Sequence, residues 1–142
     1  MKTYRAVEKD FERKTYLIDA ADKTLGRLAT RVASLLIGKG KAVFAYDQLC
    51  GDSVVVINAK KIHVTGTKNK NKVYKHYTGF PSGLKEYNFE RLMEKKPEEI
   101  ITRAVSRMLP KNRLGREMQR RLRVYAGSEH KQQAQKPETI EI

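Results

Sequence analysis

The chain has 142 residues, with 30 Lys and Arg against 16 Asp and Glu, a formal net charge of +14. Its single cysteine excludes an internal disulfide and suits a reducing compartment. No apolar run approaches the roughly 18 residues of a membrane span, and Met1-Lys2-Thr3-Tyr4-Arg5 leads into charge rather than into a signal-peptide core.

Hydrophobic residues make up 39% and aromatics 8%, low but sufficient for the core of one domain. We expect one unit over 1–142, divided into an arm (1–15), a globular core (16–127) and a tail (128–142). So large an excess of positive charge repels itself in a compact chain. A polyanion would neutralise it, and nucleic acid is the commonest one.

Residues 1–15 are polar, of mixed charge and without a period, which reads as an arm. Tyr16-Leu17-Ile18-Asp19 is a short strand, followed by a turn and by Thr24 as a helix N-cap. Leu25, Leu28, Ala29, Val32, Leu35 and Leu36 recur at helical spacing, and Gly38 stands where a helix-ending glycine belongs. Ser53-Val54-Val55-Val56-Ile57-Asn58 is a continuous β-branched run, predicting a strand buried on both faces. Ile62-His63-Val64 reads as another strand, residues 68–72 as a basic loop, and residues 73–77 as a strand closed by Gly79, Pro81 and Gly83.

The last third is helical in pattern. Asn88 caps a short helix through Phe89, Leu92 and Met93. Pro97 opens another, with Glu98 and Glu99 at its positive end and an apolar stripe of Ile100, Ile101, Ala104, Val105 and Met108. Pro110 ends it. Leu114, Met118 and Leu122 mark a further helix, residues 123–127 a terminal strand or turn, and the polar tail an extended segment. Strand, helix, strand, then more helices reads as an α/β fold.

Two basic features stand out. From Ser53 to Lys85 there is no Asp or Glu, and Lys60, Lys61, Lys68, Lys70, Lys72, Lys75 and Lys85 are interleaved with Tyr74, His76, Tyr77 and Phe80. Lysines supply sequence-independent phosphate contacts, and aromatics or imidazoles between them can stack on or bond to unpaired bases. On a helix, Arg113, Arg116, Arg120 and Arg123 fall on one side and Leu114, Met118 and Leu122 on the other. Arg103 and Arg107 are likewise four apart, and only Glu117 offsets this region. Lys111 and Arg121 belong to the same basic stretch. A phosphate backbone converts the mutual repulsion of such arginines into binding. The apolar side of this helix is too narrow, and too poor in Trp, for a membrane surface.

Gly38-Lys39-Gly40-Lys41 lacks the spacing of a nucleotide-binding phosphate loop and follows a helix instead of preceding one. Lys39 and Lys41 suit contact with an RNA backbone better. Cys50 has no base near it in sequence, and His63 reads as a structural strand residue. Cys50, His63, His76 and His130 do not have the spacing of a zinc set. Asp19 and Asp52 each flank a predicted strand. They leave open a second reading, a metal-dependent nucleic-acid-processing enzyme.

Several segments together resemble the ribosomal protein L13 family of the large subunit, in its bacterial form. They are Asp19-Ala20, Lys23-Thr24-Leu25-Gly26-Arg27-Leu28-Ala29, Gly38-Lys39, Gly51-Asp52 before residues 54–59, Val64-Thr65-Gly66 with Lys68, Lys72-Val73-Tyr74 with His76, Thr78-Gly79 and Gly83-Leu84-Lys85. The most specific are Ala104-Val105, Met108-Leu109-Pro110-Lys111-Asn112, Leu114-Gly115-Arg116, Leu122-Arg123-Val124-Tyr125-Ala126-Gly127, Glu129-His130 and Ala134-Gln135 with Pro137. The match is collinear from about Tyr16 onward. Departures are the segment 42–50, Tyr16 in place of a Trp, and Phe80-Pro81-Ser82 in the glycine turn.

The resemblance implies a three-layer α/β/α fold around a small, mostly parallel sheet. It implies a cytoplasmic constituent of the large ribosomal subunit that binds large-subunit ribosomal RNA early in assembly, beside neighbouring ribosomal proteins. It implies no catalysis, no cofactor, no metal, no membrane and no small-molecule substrate. Repression of a messenger RNA through the same basic surface is compatible with it. Taken together, the expected RNA-binding residues are Lys39, Lys41, Lys68, Lys70, Lys72, Tyr74, Lys75, His76, Lys85, Arg107, Lys111, Arg113, Arg116, Arg120, Arg121 and Arg123.

Overall fold

Burial follows the apolar periodicity along most of the chain. The computed structural model describes residue 7 and residues 11–142. The elements are β1 (Thr15–Asp19), α1 (Leu25–Ile37), β2 (Ser53–Ile57), a 3-10 turn (Ala59–Lys61), α2 (Lys68–Asn71), β3 (Val73–Tyr77), β4 (Leu84–Asn88), α3 (Phe89–Lys95), α4 (Pro97–Met108), α5 (Arg113–Arg120), β5 (Leu122–Val124) and β6 (Glu138–Thr139). Four strands form one sheet in the order β5-β2-β1-β6, each pairing parallel. β3 and β4 form a separate antiparallel hairpin. The fold is α/β, a parallel sheet flanked by helices, as the order of elements predicts.

The core explains the pattern. Val54, Val55 and Val56 are all buried, so β2 is covered on both faces. Ile18, Val54, Val56 and Leu122 join one apolar cluster with Leu28, Val32 and Leu36 of α1 and with Ile100, Ile101 and Val105 of α4. Paired strand residues share a face, and this face is the one that receives α1 and α4. Full burial of one such aliphatic side chain stabilises by about 1.5–3 kcal/mol.

α1 begins after Thr24, whose backbone is extended as an N-cap requires, but the side chain accepts no capping bond. It ends at Gly38, where φ is +83° and a Cβ would stand 3.0 Å from the Cys50 carbonyl carbon. Only glycine meets both conditions easily. Gly51 is held for a different reason: a Cβ there would lie 1.7 Å from the Leu36 carbonyl oxygen.

Several expectations need correction. Ile62-His63-Val64 is not a strand; His63 makes a single bridge to Thr24, with Leu25 N donating to its carbonyl at 2.9 Å. The stretch 68–72 holds a one-turn helix, α2. The strand β4 (Leu84–Asn88) lies beyond a glycine turn, where the sequence reading has no strand, and it closes a hairpin with β3. The last helix stops at Arg120, because Leu122 reaches the core from β5, opposite Val54. The tail is more ordered than its composition suggests: β6 pairs with β1, and Lys23 Nζ donates to the Ile142 carbonyl at 2.5 Å.

The expected arm lies partly outside the described residues. Where it is described, Phe11 is buried beside Cys50 and packs with Val43, Phe44 and Ala45. The segment 42–50 and the end of the arm therefore build a satellite core together. Among the described residues, no helix is long and apolar enough to cross a membrane.

Candidate nucleic-acid interface

Three groups of basic side chains emerge from this frame. The first is the glycine turn after α1. Lys39 is exposed there. Lys41 is not free: its ammonium sits 2.6 Å from Asp52 Oδ1 and 2.6 Å from the Glu12 carbonyl. Asp52 is 3% exposed and also accepts a bond from Lys14 N at 2.9 Å. Lys41 is thus the counter-ion of a buried carboxylate, and its charge is directed inward.

The second group surrounds an open cleft of about 750 Å³ between the start of α1, the 64–72 segment and α4. Arg27, Lys68, Lys72, Arg103 and Arg107 line it together with Tyr74, and among the described residues no carboxylate does. Arg103 is the most neutralised of them, since Glu99 pairs with it along α4. Lys72 is half-buried; its burial, and then the neighbouring Arg107 and Lys68, hold its pKa below the ordinary lysine value. Like charges have been crowded into one concave surface.

Tyr74 sits at the floor of this group, 3% exposed. Lys72 Nζ stands 5.4 Å from its ring centroid and the Arg103 guanidinium 5.7 Å. The buried ring is covered by cations and is not presented for base stacking. Its hydroxyl is buried without a hydrogen-bond partner in the described structure. Burial pushes the phenol pKa up, against the opposing pull of Arg107 and Arg103.

The β3–β4 hairpin carries the remaining loop residues. His76 lies opposite Lys85, and Lys75 opposite Glu86, to which it is paired at 2.8 Å. Tyr77 is 62% and Phe80 72% exposed, so these rings are presented where Tyr74 is not. Lys70 is exposed on α2.

The third group is α5 and its flanks. Asn112 caps this helix, its Oδ1 accepting from Gly115 N at 2.8 Å. Leu114, Gly115 and Met118 turn inward, and Arg113, Arg116 and Arg120 are exposed, as is Lys111 just before the helix. Arg120 is paired with Glu117 at 2.7 Å on the surface, which removes little of its availability. Arg121 points elsewhere: its guanidinium donates to the Gly51 carbonyl at 2.7 Å. Arg123 is exposed on β5, outside the helix, and donates to the Arg120 carbonyl.

The sixteen residues expected from sequence are therefore dispersed over these three groups, the β3–β4 hairpin and α2. Arg27 lines the same cleft as Lys72 and Arg107, and the sequence reading does not include it. No signal local to the chain links residue 27 to residue 107; the packing of α1 on α4 does so.

The alternative metal site does not form from its two carboxylates. Asp52 lies beside Lys14, just before the start of β1, and Asp19 ends β1. At about 3.3 Å per strand residue they are roughly 16 Å apart. Asp19 Oδ1 accepts from Ala21 N at 2.9 Å and Asn58 Nδ2 at 2.8 Å, and these two bonds, the Ala21 one first, lower its pKa. Among the described residues, no group of three or more His, Cys, Asp or Glu could hold a metal ion.

Residues 13–131 match the family model described as ribosomal protein L13. Over 142 residues, covering all of this chain, it is 54% identical to the large ribosomal subunit protein uL13 of Thermoanaerobacter sp. (strain X514), of which 99% is covered. It is 52% identical to that of Aquifex aeolicus (strain VF5), again with all of this chain and 99% of the relative covered. With that of Pseudoalteromonas atlantica (strain T6c / ATCC BAA-1087) the identity is 54%, with both chains covered completely.

Proposed function

Because the chain belongs to the ribosomal protein L13 family, we propose that it is a non-catalytic constituent of the large ribosomal subunit in the cytoplasm. It acts as a single L13 unit that binds large-subunit ribosomal RNA early in assembly and lies beside other large-subunit proteins. The observation that carries this reading is charge left uncompensated on a rigid frame. Arg113, Arg116 and Arg107 are exposed, and among the described residues the cleft beside Arg107 has no acidic lining.

The chemistry is electrostatic and geometric. Each Lys or Arg that meets a phosphate releases counter-ions, and each Arg fork can hold two phosphate oxygens. Basic groups on different elements can bridge RNA segments that repel one another, with the parallel sheet fixing their spacing. Exposed Tyr77, Phe80 and His76 suit irregular RNA, where bases are unstacked.

Reconstitution tests it. Large-subunit particles assembled from purified components without this chain should take it up at one copy per particle, and early intermediates should accumulate when it is withheld. Stable particles that form at the normal rate and exclude the added chain would refute the proposal.

A further inference from the structure

We propose that the cleft at the start of α1 is a phosphate site that receives one nucleotide of the bound RNA. This rests on the RNA-binding reading above and goes further, by naming the atoms and the ligand chemistry.

Three independent features converge on the cleft. First, the amides of Gly26 and Arg27 open the 13-residue helix α1 and have no hydrogen-bond partner among the described residues, whereas Leu25 N is bonded to the His63 carbonyl. The first turn of α1 carries no acidic side chain, and a Cβ built on Gly26 would meet nothing within 4 Å. The helix end is therefore open to an anion.

Second, Tyr74 lines the cleft with a buried hydroxyl that has no partner. An orphaned buried donor costs stability unless something bonds to it. A phosphate oxygen would accept from it once the Lys72 and Arg103 side chains over the ring swing onto the anion, and would complete the set. Third, Arg27, Lys72 and Arg107 have no carboxylate partner among the described residues, and burial, then the nearby Arg107 and Lys68, disfavour the ammonium form of Lys72 in the free protein. A bound phosphate reverses that cost.

The remaining walls suit the rest of a nucleotide. Leu25, Val64, Ala104 and Met108 are apolar, and Met108 is 42% exposed. A thioether beside small aliphatic groups offers a soft surface to a base turned out of its stack. The volume is within the range of sites for small ligands, about 300–1,000 Å³.

Backbone-amide NMR of the whole chain gives the test, with three probes titrated separately: inorganic phosphate, uridine 5′-monophosphate and a hexauridylate RNA. The proposal expects saturable shifts of the Gly26 and Arg27 amides with all three, strongest with the RNA. Tyr74→Phe should keep or raise the melting temperature of the free protein, yet weaken RNA binding at the cleft by about tenfold. Arg107→Gln should do the same to affinity. Shifts with inorganic phosphate but none with the RNA would mean a free-anion site and overturn the proposal. So would RNA binding that leaves both amides and the Tyr74→Phe affinity unchanged, and this outcome leaves the broader RNA-binding reading standing. Failure of ribosomal RNA itself to bind would refute that broader reading.

Discussion

Single side chains in this protein divide by what their charge faces. Lys41 and Lys39 are two residues apart on one turn, yet one neutralises buried Asp52 and the other meets solvent. Replacing Lys41 by Ala should lower stability by about 2 kcal/mol, because among the described residues Asp52 then keeps only the Lys14 amide. Denaturant unfolding measures this, and Lys39→Ala should leave the midpoint unchanged. Asp19 gives a pH prediction. Its carboxylate is lowered in the folded state by the Ala21 amide and then by Asn58. A depressed folded pKa contributes stability above about pH 4, lost as pH falls through the folded value. Asp19→Asn should therefore flatten the decline of melting temperature as pH falls below about 4; an unchanged decline would contradict the assignment. The shift at Lys72 is a cost where that at Asp19 is a gain, and in both cases stability rises with pH. The depressed folded pKa of Lys72 makes the ammonium form unfavourable at neutral pH, a cost that fades as pH rises from the folded value towards the ordinary lysine value. Residue types alone place Lys72 and Lys41 in one class. What separates them is a carboxylate eleven positions away for one, and burial beside Arg107 and Lys68 for the other, and neither is visible in a local window.

At the scale of elements, the readable parts were those whose pattern is set by a two-sided environment. α1 and α4 show apolar stripes because each lies with one face on the sheet and core, and β2 shows an unbroken apolar run because both of its faces are covered. The hairpin partner β4 was missed because Leu84-Lys85-Glu86-Tyr87-Asn88 is largely exposed, and a strand held by backbone bonds with little burial leaves no hydrophobic alternation. β6 was missed for the same reason: Glu138 and Thr139 are exposed and held by pairing with β1 and by a surface ion pair between Glu138 and Lys14. The end of α5 was set by tertiary pull on Leu122 rather than by helix period. α5 itself depends on two small features. Asn112→Ala removes the cap on Gly115 N and should destabilise the protein by about 1 kcal/mol. Gly115→Ala should be worse, since its Cβ would overlap the Pro110 carbonyl oxygen at 1.8 Å. Melting curves of the two variants check the order, and a Gly115→Ala protein as stable as the parent would show that the helix start can shift.

For the molecule as a whole, the net charge of +14 is a self-repulsion that the fold tolerates and a polyanion relieves. The membership of its family was legible in collinear motifs. The grouping of the basic residues was not, because Arg27 and Arg107 meet only when α1 packs on α4. The exposed arginines of α5 should act additively with the cleft rather than through it. Replacing Arg113, Arg116 and Arg120 together by Ala should leave the melting temperature within a few degrees, and should reduce the slope of log affinity against log salt by about two. A retained slope would place the RNA on another face.

The most direct measurement is a salt series of binding, with intact large-subunit ribosomal RNA against a shuffled RNA of equal length. A folded surface that fits one RNA shape predicts tighter binding to the ribosomal RNA, with the preference surviving at high salt as the non-specific component falls away. Equal affinity for both RNAs, collapsing together as salt rises, would contradict the account and leave only a basic protein that adheres to any polyanion.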